Sequence, residues 1–171
     1  MPKKIAKVEE KYYDLIKEKL TELFKEKGAN VYLEVTANKT FSEQLKSKIP
    51  SGREIIFLFL RKAAPDITGF IKGSALPGFV VVEVKRNKID LDDIYQLKKY
   101  ADLFDAKFAF LFSFKPIPEE IKRISRNPLF LLSKLRSDIY QAFTLAHFDE
   151  QACKFVEWFE KDPFSESIYW K

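Results

Sequence analysis

Asp66, Glu83 and Lys85 are the residues whose types and spacing could do chemistry. Glu83 and Lys85 close the run Phe79-Val-Val-Val-Glu-Val-Lys85, which reads as a core strand carrying two charges out at its C-terminal end. Successive strand side chains alternate faces, so Glu83 and Lys85 point the same way as Val81 and Phe79. A carboxylate and an ammonium at the end of a core strand are costly to desolvate unless a ligand uses them. A divalent metal and a phosphate would use them. Mg²⁺ prefers oxygen ligands and commonly takes one or two carboxylates plus substrate phosphate; Asp66 and Glu83 would be those carboxylates. Lys85 would hold or activate the attacking water and offset charge building on the phosphate.

Asp66 follows Pro65 and is separated from Glu83 by 16 residues. Residues 67–71 read as a strand and 72–78, with Gly73, Pro77 and Gly78, as a loop. A hairpin there brings Asp66 to Glu83, and a slip of one residue would turn it to the other face. The plain alternative is a surface ion pair at a strand end.

The elements around these residues follow from pattern. Asp90 to Phe104 predicts a helix with Asp90 as N-cap, Asp92 and Asp93 in its first turn, and an apolar stripe of Ile94, Leu97, Ala101 and Phe104. Gln96 and Tyr100 share a face at the border of that stripe; the plain alternative makes Tyr100 a core residue and Gln96 a solvated one. A second helix is expected from residue 5 to about 27, ended by Gly28. At about 100° per residue Glu9 falls near the middle of its apolar stripe, whereas Glu10, Asp14, Glu18 and Glu22 fall off it. An acid on a buried face is an anomaly.

Pro65-Asp66…Glu83-Val84-Lys85, with Gln96-x-x-x-Tyr100 on the next helix, resembles the PD-(D/E)XK nuclease superfamily, in its RecB-type branch. The resemblance implies an α/β fold with a restriction-endonuclease-like core, a central mixed β-sheet flanked by helices, over one domain spanning 1–171. It implies Mg²⁺ or Mn²⁺ held by Asp66, Glu83 and a helix-borne acid, for which Glu9 is the candidate and Glu10 the fallback. Catalysis would fall to Asp66, Glu83, Lys85 and Gln96, and Tyr100 would lie near the nucleic acid. The implied reaction is hydrolysis of DNA phosphodiester bonds by in-line attack of water, leaving a 5′-phosphate.

Composition sets the bounds. At 171 residues, with 46% apolar content, the chain can build a substantial core. No run approaches the ~20 apolar residues of a membrane span, and the N-terminus lacks an apolar signal core, so a cytoplasmic protein is expected. Cys153 is the single cysteine, so neither a disulfide nor a cysteine-ligated cluster is expected. No Gly-rich phosphate loop is present, hence no nucleotide cofactor is expected. Net charge is +5, and residues 115–136 concentrate six basic residues against Glu119 and Glu120, while 149–171 carry six acids against three bases. A basic face toward phosphate would suit this, with Arg86, Lys88, Arg123 and Arg126 as nucleic-acid-binding candidates beside Tyr100. His147 and Cys153 lack the partners of a nucleophilic site and receive no role.

Further along the chain, 31–36 is expected as a strand, 41–49 as a short helix, 54–60 as a fully apolar strand, and 108–113 as a buried strand. Residues 116–126 and 129–136 are expected as helices, 140–147 as a strand, and Asp149 as the cap of a helix through Glu160. These elements use almost the whole chain, so structure- or end-directed cleavage in repair or recombination is expected over site-specific restriction. A homodimer would suit two-strand cleavage. The alternative readings are a catalytically inactive module of the same fold that binds nucleic acid or a protein partner, and an unrelated α/β interaction protein.

Overall fold

The computed structural model describes residues 2–73, 77–127, 141–159 and 161–170, with side chains from residue 11 onward. Helix α1 (Pro2–Glu26) ends where Gly28, at φ +73°, lets the Ala29 amide reach back to the Phe24 carbonyl at 3.0 Å. Strand β1 (Val31–Val35) follows, then the single turns α2 (Glu43–Lys46) and α3 (Ile56–Phe59), and the hairpin β2 (Ile67–Ile71) and β3 (Gly78–Lys85). Helix α4 (Leu91–Phe104) leads to β4 (Phe108–Ser113), α5 (Glu119–Ser125), the hairpin β5 (Ala142–Asp149) and β6 (Lys154–Phe159), and a 3₁₀ turn (Ser167–Trp170).

The strands form one six-stranded sheet whose spatial order is the chain order. Strands β1, β2 and β3 pair antiparallel, β3, β4 and β5 parallel, and β6 closes the far edge antiparallel to β5. The parallel centre is covered on both faces and therefore reads as unbroken apolar sequence: all six residues of β4, Phe-Ala-Phe-Leu-Phe-Ser, are buried. One face packs Val80, Val82, Phe108 and Phe110 against Ile16, Leu20 and Phe24 of α1. The other packs Phe79, Val81, Ala109 and Leu111 against Ile94, Leu97, Tyr100 and Phe104 of α4. The chain is thus an α/β protein with a mixed sheet flanked by helices. Gly69 sits where β2 passes closest to β1, since a Cβ there would come within 1.9 Å of the Tyr32 carbonyl oxygen. Among the described residues no helix is long and apolar enough to cross a membrane.

Two expected elements differ. Residues 54–60 are not a strand: Ile56 and Leu60, one helical turn apart, are buried, while Ile55, Leu58 and Phe59 face outward at 55%, 50% and 64% exposure. A short apolar run satisfies either period, and the turn at Pro50 to Arg53 feeds i→i−3 bonds (Ile56 to Arg53, Phe57 to Glu54) that start a helix. Residues 149–160 are not a helix either. Asp149 accepts from the amides of Gln151 and Ala152 at 2.9 and 3.0 Å, and Cys153 takes φ +52°, so the chain turns back and pairs as β6. The expected helix at 129–136 lies outside the described residues.

Candidate active site

Asp66 stands one residue before β2, and Glu83 stands near the end of β3. The register pairs Ile67 with Val82 and Thr68 with Val81, so its continuation sets Asp66 opposite Glu83. The β2–β3 ladder does not extend beyond this point, where Pro65 has no amide hydrogen to donate. The Asp66 carboxylate supplies a link instead: its Oδ2 accepts from the Val84 amide at 2.7 Å. The Tyr13 hydroxyl, from α1, also bonds this carboxylate.

Glu83 is 2% exposed. Its Oε2 lies 3.4 Å from Lys85 Nζ, while its Oε1 has no hydrogen-bond partner among the described residues. Lys85 Nζ is also 3.1 Å from Asp93 Oδ1 and donates to Gln96 Oε1 at 3.3 Å. Gln96 Nε2 in turn donates to the Tyr100 hydroxyl at 3.1 Å. Asp93, Gln96 and Tyr100 follow an i, i+3, i+7 spacing and so line one face of α4. A capping box fixes where that face begins. Asp90 Oδ1 accepts from the Asp93 amide and Asp93 Oδ2 from the Asp90 amide, both at 3.0 Å, which leaves Asp93 Oδ1 for Lys85.

The electrostatics are those of crowded acids. Burial, then the neighbouring Asp66 charge, push the Glu83 carboxyl up to about 8 against the pull of Lys85. Burial also raises Asp66, opposed by the Val84 amide, Lys85 and the Tyr13 hydroxyl. For Lys85 burial works against the ammonium, but Glu83 and Asp93 outweigh it and hold the pKa above its ordinary value. Both acids are thus harder to ionise than free carboxyls, and a cation bound between them would favour their charged forms.

Two adjacent carboxylates, one with a buried acceptor oxygen lacking a partner among the described residues, fit a hard divalent cation, which commonly takes one or two carboxylates from protein. Among the described residues no group of three or more His, Cys, Asp or Glu could hold a metal ion. The side chains of Glu9 and Glu10 lie outside the described residues. The α1 backbone places Glu9 one turn before Tyr13.

The nucleic-acid candidates divide. Arg86 lines a cleft next to Lys85, with its guanidinium 5.3 Å from the centre of the Tyr12 ring. Lys88 is exposed just past β3 but does not line that cleft. Arg123 is exposed and lies 3.7 Å from Glu119, and Arg126 sits 5.6 Å from the Phe159 ring; neither lines the cleft. Tyr100, the remaining nucleic-acid candidate, is fully buried within the α4 face of the core.

Two residues of the cluster escaped the sequence reading as site residues, Asp93 and Tyr13. Asp93 is visible in the sequence as a first-turn acid of α4, and its three-residue offset from Gln96 is the signal for its second role. Tyr13 is an aromatic residue inside the predicted first helix, and its hydroxyl is the signal for a polar role. No family model, curated protein or solved structure matches this chain.

Proposed function

We propose that this chain is a metal-dependent deoxyribonuclease of the restriction-endonuclease-like fold, hydrolysing phosphodiester bonds with Asp66, Glu83 and Lys85 at the reacting phosphate. One observation carries the reading: Glu83 is buried against Asp66 with an oxygen that has no partner among the described residues, and a lysine ammonium stands beside it. Such an arrangement is expensive in a protein that makes no use of it.

Asp66 and Glu83 would hold Mg²⁺ or Mn²⁺. When bound, the ion supplies Lewis acidity toward the phosphate and lowers the pKa of water. The chain's own residues do the rest. The Val84 amide and the Tyr13 hydroxyl fix the Asp66 carboxylate. Gln96 and Asp93 hold the Lys85 ammonium at the edge of the carboxylate pair, and Tyr100 orients Gln96 from the core. Lys85, kept protonated by Glu83 and Asp93, stabilises negative charge as it develops on the phosphate oxygens. Structure- or end-directed substrates suit a chain whose described elements are spent on the core.

A cleavage panel tests this, with Mg²⁺ or Mn²⁺ and single-stranded, duplex, flapped and branched DNA. Metal-dependent cutting by the native chain, absent in Asp66→Asn, supports the reading. Binding of DNA without cleavage of any substrate would leave a non-catalytic module in its place.

A further inference from the structure

Beside the carboxylate pair opens a cleft of about 600 Å³, lined by Tyr12, Tyr13, Lys85, Arg86, Phe114 and Lys115 among others. It adjoins the acids directly. Tyr13 bonds Asp66, Lys85 contacts Glu83, and the cleft-lining Val84 gives its amide to Asp66. Its framework is backbone: Lys85 and Ser113 are neighbours across the parallel β3–β4 pair, and the Phe114 amide donates to the Lys85 carbonyl at 3.0 Å. The Lys115 amide donates to Ser113 Oγ at 3.0 Å, and that hydroxyl donates to the Asn87 carbonyl at 2.9 Å. Both rims of the cleft are thereby tied to the strand ends.

The lining has two characters. Tyr12 and Phe114 meet with ring centres 4.8 Å apart and planes at 60°. Around them stand three cations, Lys85, Arg86 and Lys115, against one carboxylate, Glu150. That carboxylate is engaged, since its Oε1 accepts from the Tyr12 hydroxyl at 2.9 Å. Arg86 lies over the Tyr12 ring, so the cation and the aromatic surface form one unit. The ligand matching this lining has a flat apolar body and an adjacent anionic group. A nucleotide has both. Bases inside a duplex show only their edges, because their faces are stacked on neighbours, whereas an unpaired base can lie on an aromatic side chain.

We propose that this cleft is a subsite for one unpaired nucleotide of the substrate strand, with its base against Tyr12 and Phe114 and its phosphate on Arg86 and Lys115. The inference rests on the nuclease reading and narrows it. The preferred substrates carry a single-stranded nucleotide next to the cut, as in single strands, flaps and gaps.

The test is binding of fluorescein-labelled oligothymidylate and of an equal-length, fully abasic oligodeoxynucleotide. Both are measured by anisotropy with the full Asp66→Asn chain, so that cleavage does not intervene. Stacking on an aromatic side chain is worth about 5- to 100-fold in affinity per base, and oligothymidylate should bind more tightly by a factor in that range. Phe114→Leu should remove most of the difference, while Arg86→Ala should weaken both ligands alike. Equal affinity for the two ligands overturns the proposal without recourse to any protein variant. An advantage for thymidylate that survives Phe114→Leu, tighter binding of blunt duplex, or no binding to any oligonucleotide also overturns it. The nuclease reading fails separately: base-dependent binding would persist while the native chain cut nothing under any metal.

Discussion

The Asp66 carboxylate and the Val84 amide are joined by a 2.7 Å hydrogen bond at the point where β2 and β3 part. One side chain thus closes the end of the hairpin and, in the proposed function, would offer its charge to a cation. The two duties separate by substitution. Asp66→Asn keeps an acceptor for the Val84 amide and removes a carboxyl whose charged form is disfavoured by burial. Without metal its melting temperature should equal or exceed that of the native chain, and cleavage should be lost. Asp66→Ala leaves the amide unpaired and should be destabilised by about 1–3 kcal/mol. Thermal melts of both variants in chelator check this.

The raised Glu83 carboxyl sets a pH dependence. Between its ordinary 4.5 and its folded value of about 8, the native state binds more protons than the unfolded state. Stability of the metal-free protein should therefore fall as pH rises through that window. Metal affinity should change in the opposite sense, because the cation displaces the proton; calorimetry in buffers of different ionisation enthalpy should record proton release near pH 7. Glu83→Gln should flatten the stability profile and release no proton.

Lys85→Ala should reduce the single-turnover rate by about 10²–10³ while DNA affinity stays nearly unchanged, because one ammonium is a small share of a multi-phosphate contact. Asp93→Asn, which keeps an oxygen for the Asp90 amide but takes a charge from beside Lys85, should cost less rate than Lys85→Ala and leave the melting temperature close to native. A Lys85→Ala variant cutting at the native rate would remove the lysine from the mechanism.

Tyr100→Phe isolates a positioning role. The hydroxyl is the partner of Gln96 Nε2, and its loss should cost about 1 kcal/mol of stability and lower the rate with affinity for DNA intact. A fall in affinity instead would mean that Tyr100 meets the nucleic acid despite its burial.

Glu9→Gln and Glu10→Gln, compared for Mn²⁺ affinity and rate, assign the helix-borne acid. Glu9 stands one turn before Tyr13, whose hydroxyl reaches Asp66, so the Glu9 variant should show the larger loss. An equal or larger loss in the Glu10 variant would reverse the assignment.

What was legible in the sequence follows the strength of each local signal. The β3 run Gly-Phe-Val-Val-Val-Glu-Val-Lys was legible because its β-branched residues suit a strand covered on both faces. The Asp90 cap and the stripe of α4 were equally plain, whereas a role for Gln96 at the site came from the resemblance alone, and its bond to Lys85 is seen only in the fold. The apolar run at 54–60 carried no period to choose by, and burial of two residues one turn apart decided it. At 149 the same residue type caps a helix or closes a turn, and pairing with β5, a long-range choice, decided that. Tyr100 shows a further limit: periodicity places a residue at the border of a stripe but does not say how deep the neighbouring sheet lies.

A sheet whose spatial order copies its chain order has a consequence for assembly. Each strand finds its partner in the segment made just before it, so no pairing has to wait for a later strand to be threaded between earlier ones. The acids enter with the second pairing, and the helix that anchors Lys85 is the next element synthesised. Asp66, Glu83, Lys85, Asp93, Gln96 and Tyr100 thus belong to one short stretch of chain, with Tyr13 reaching in from the segment that precedes them all. The described strands that come after β3 in the chain contribute none of these residues.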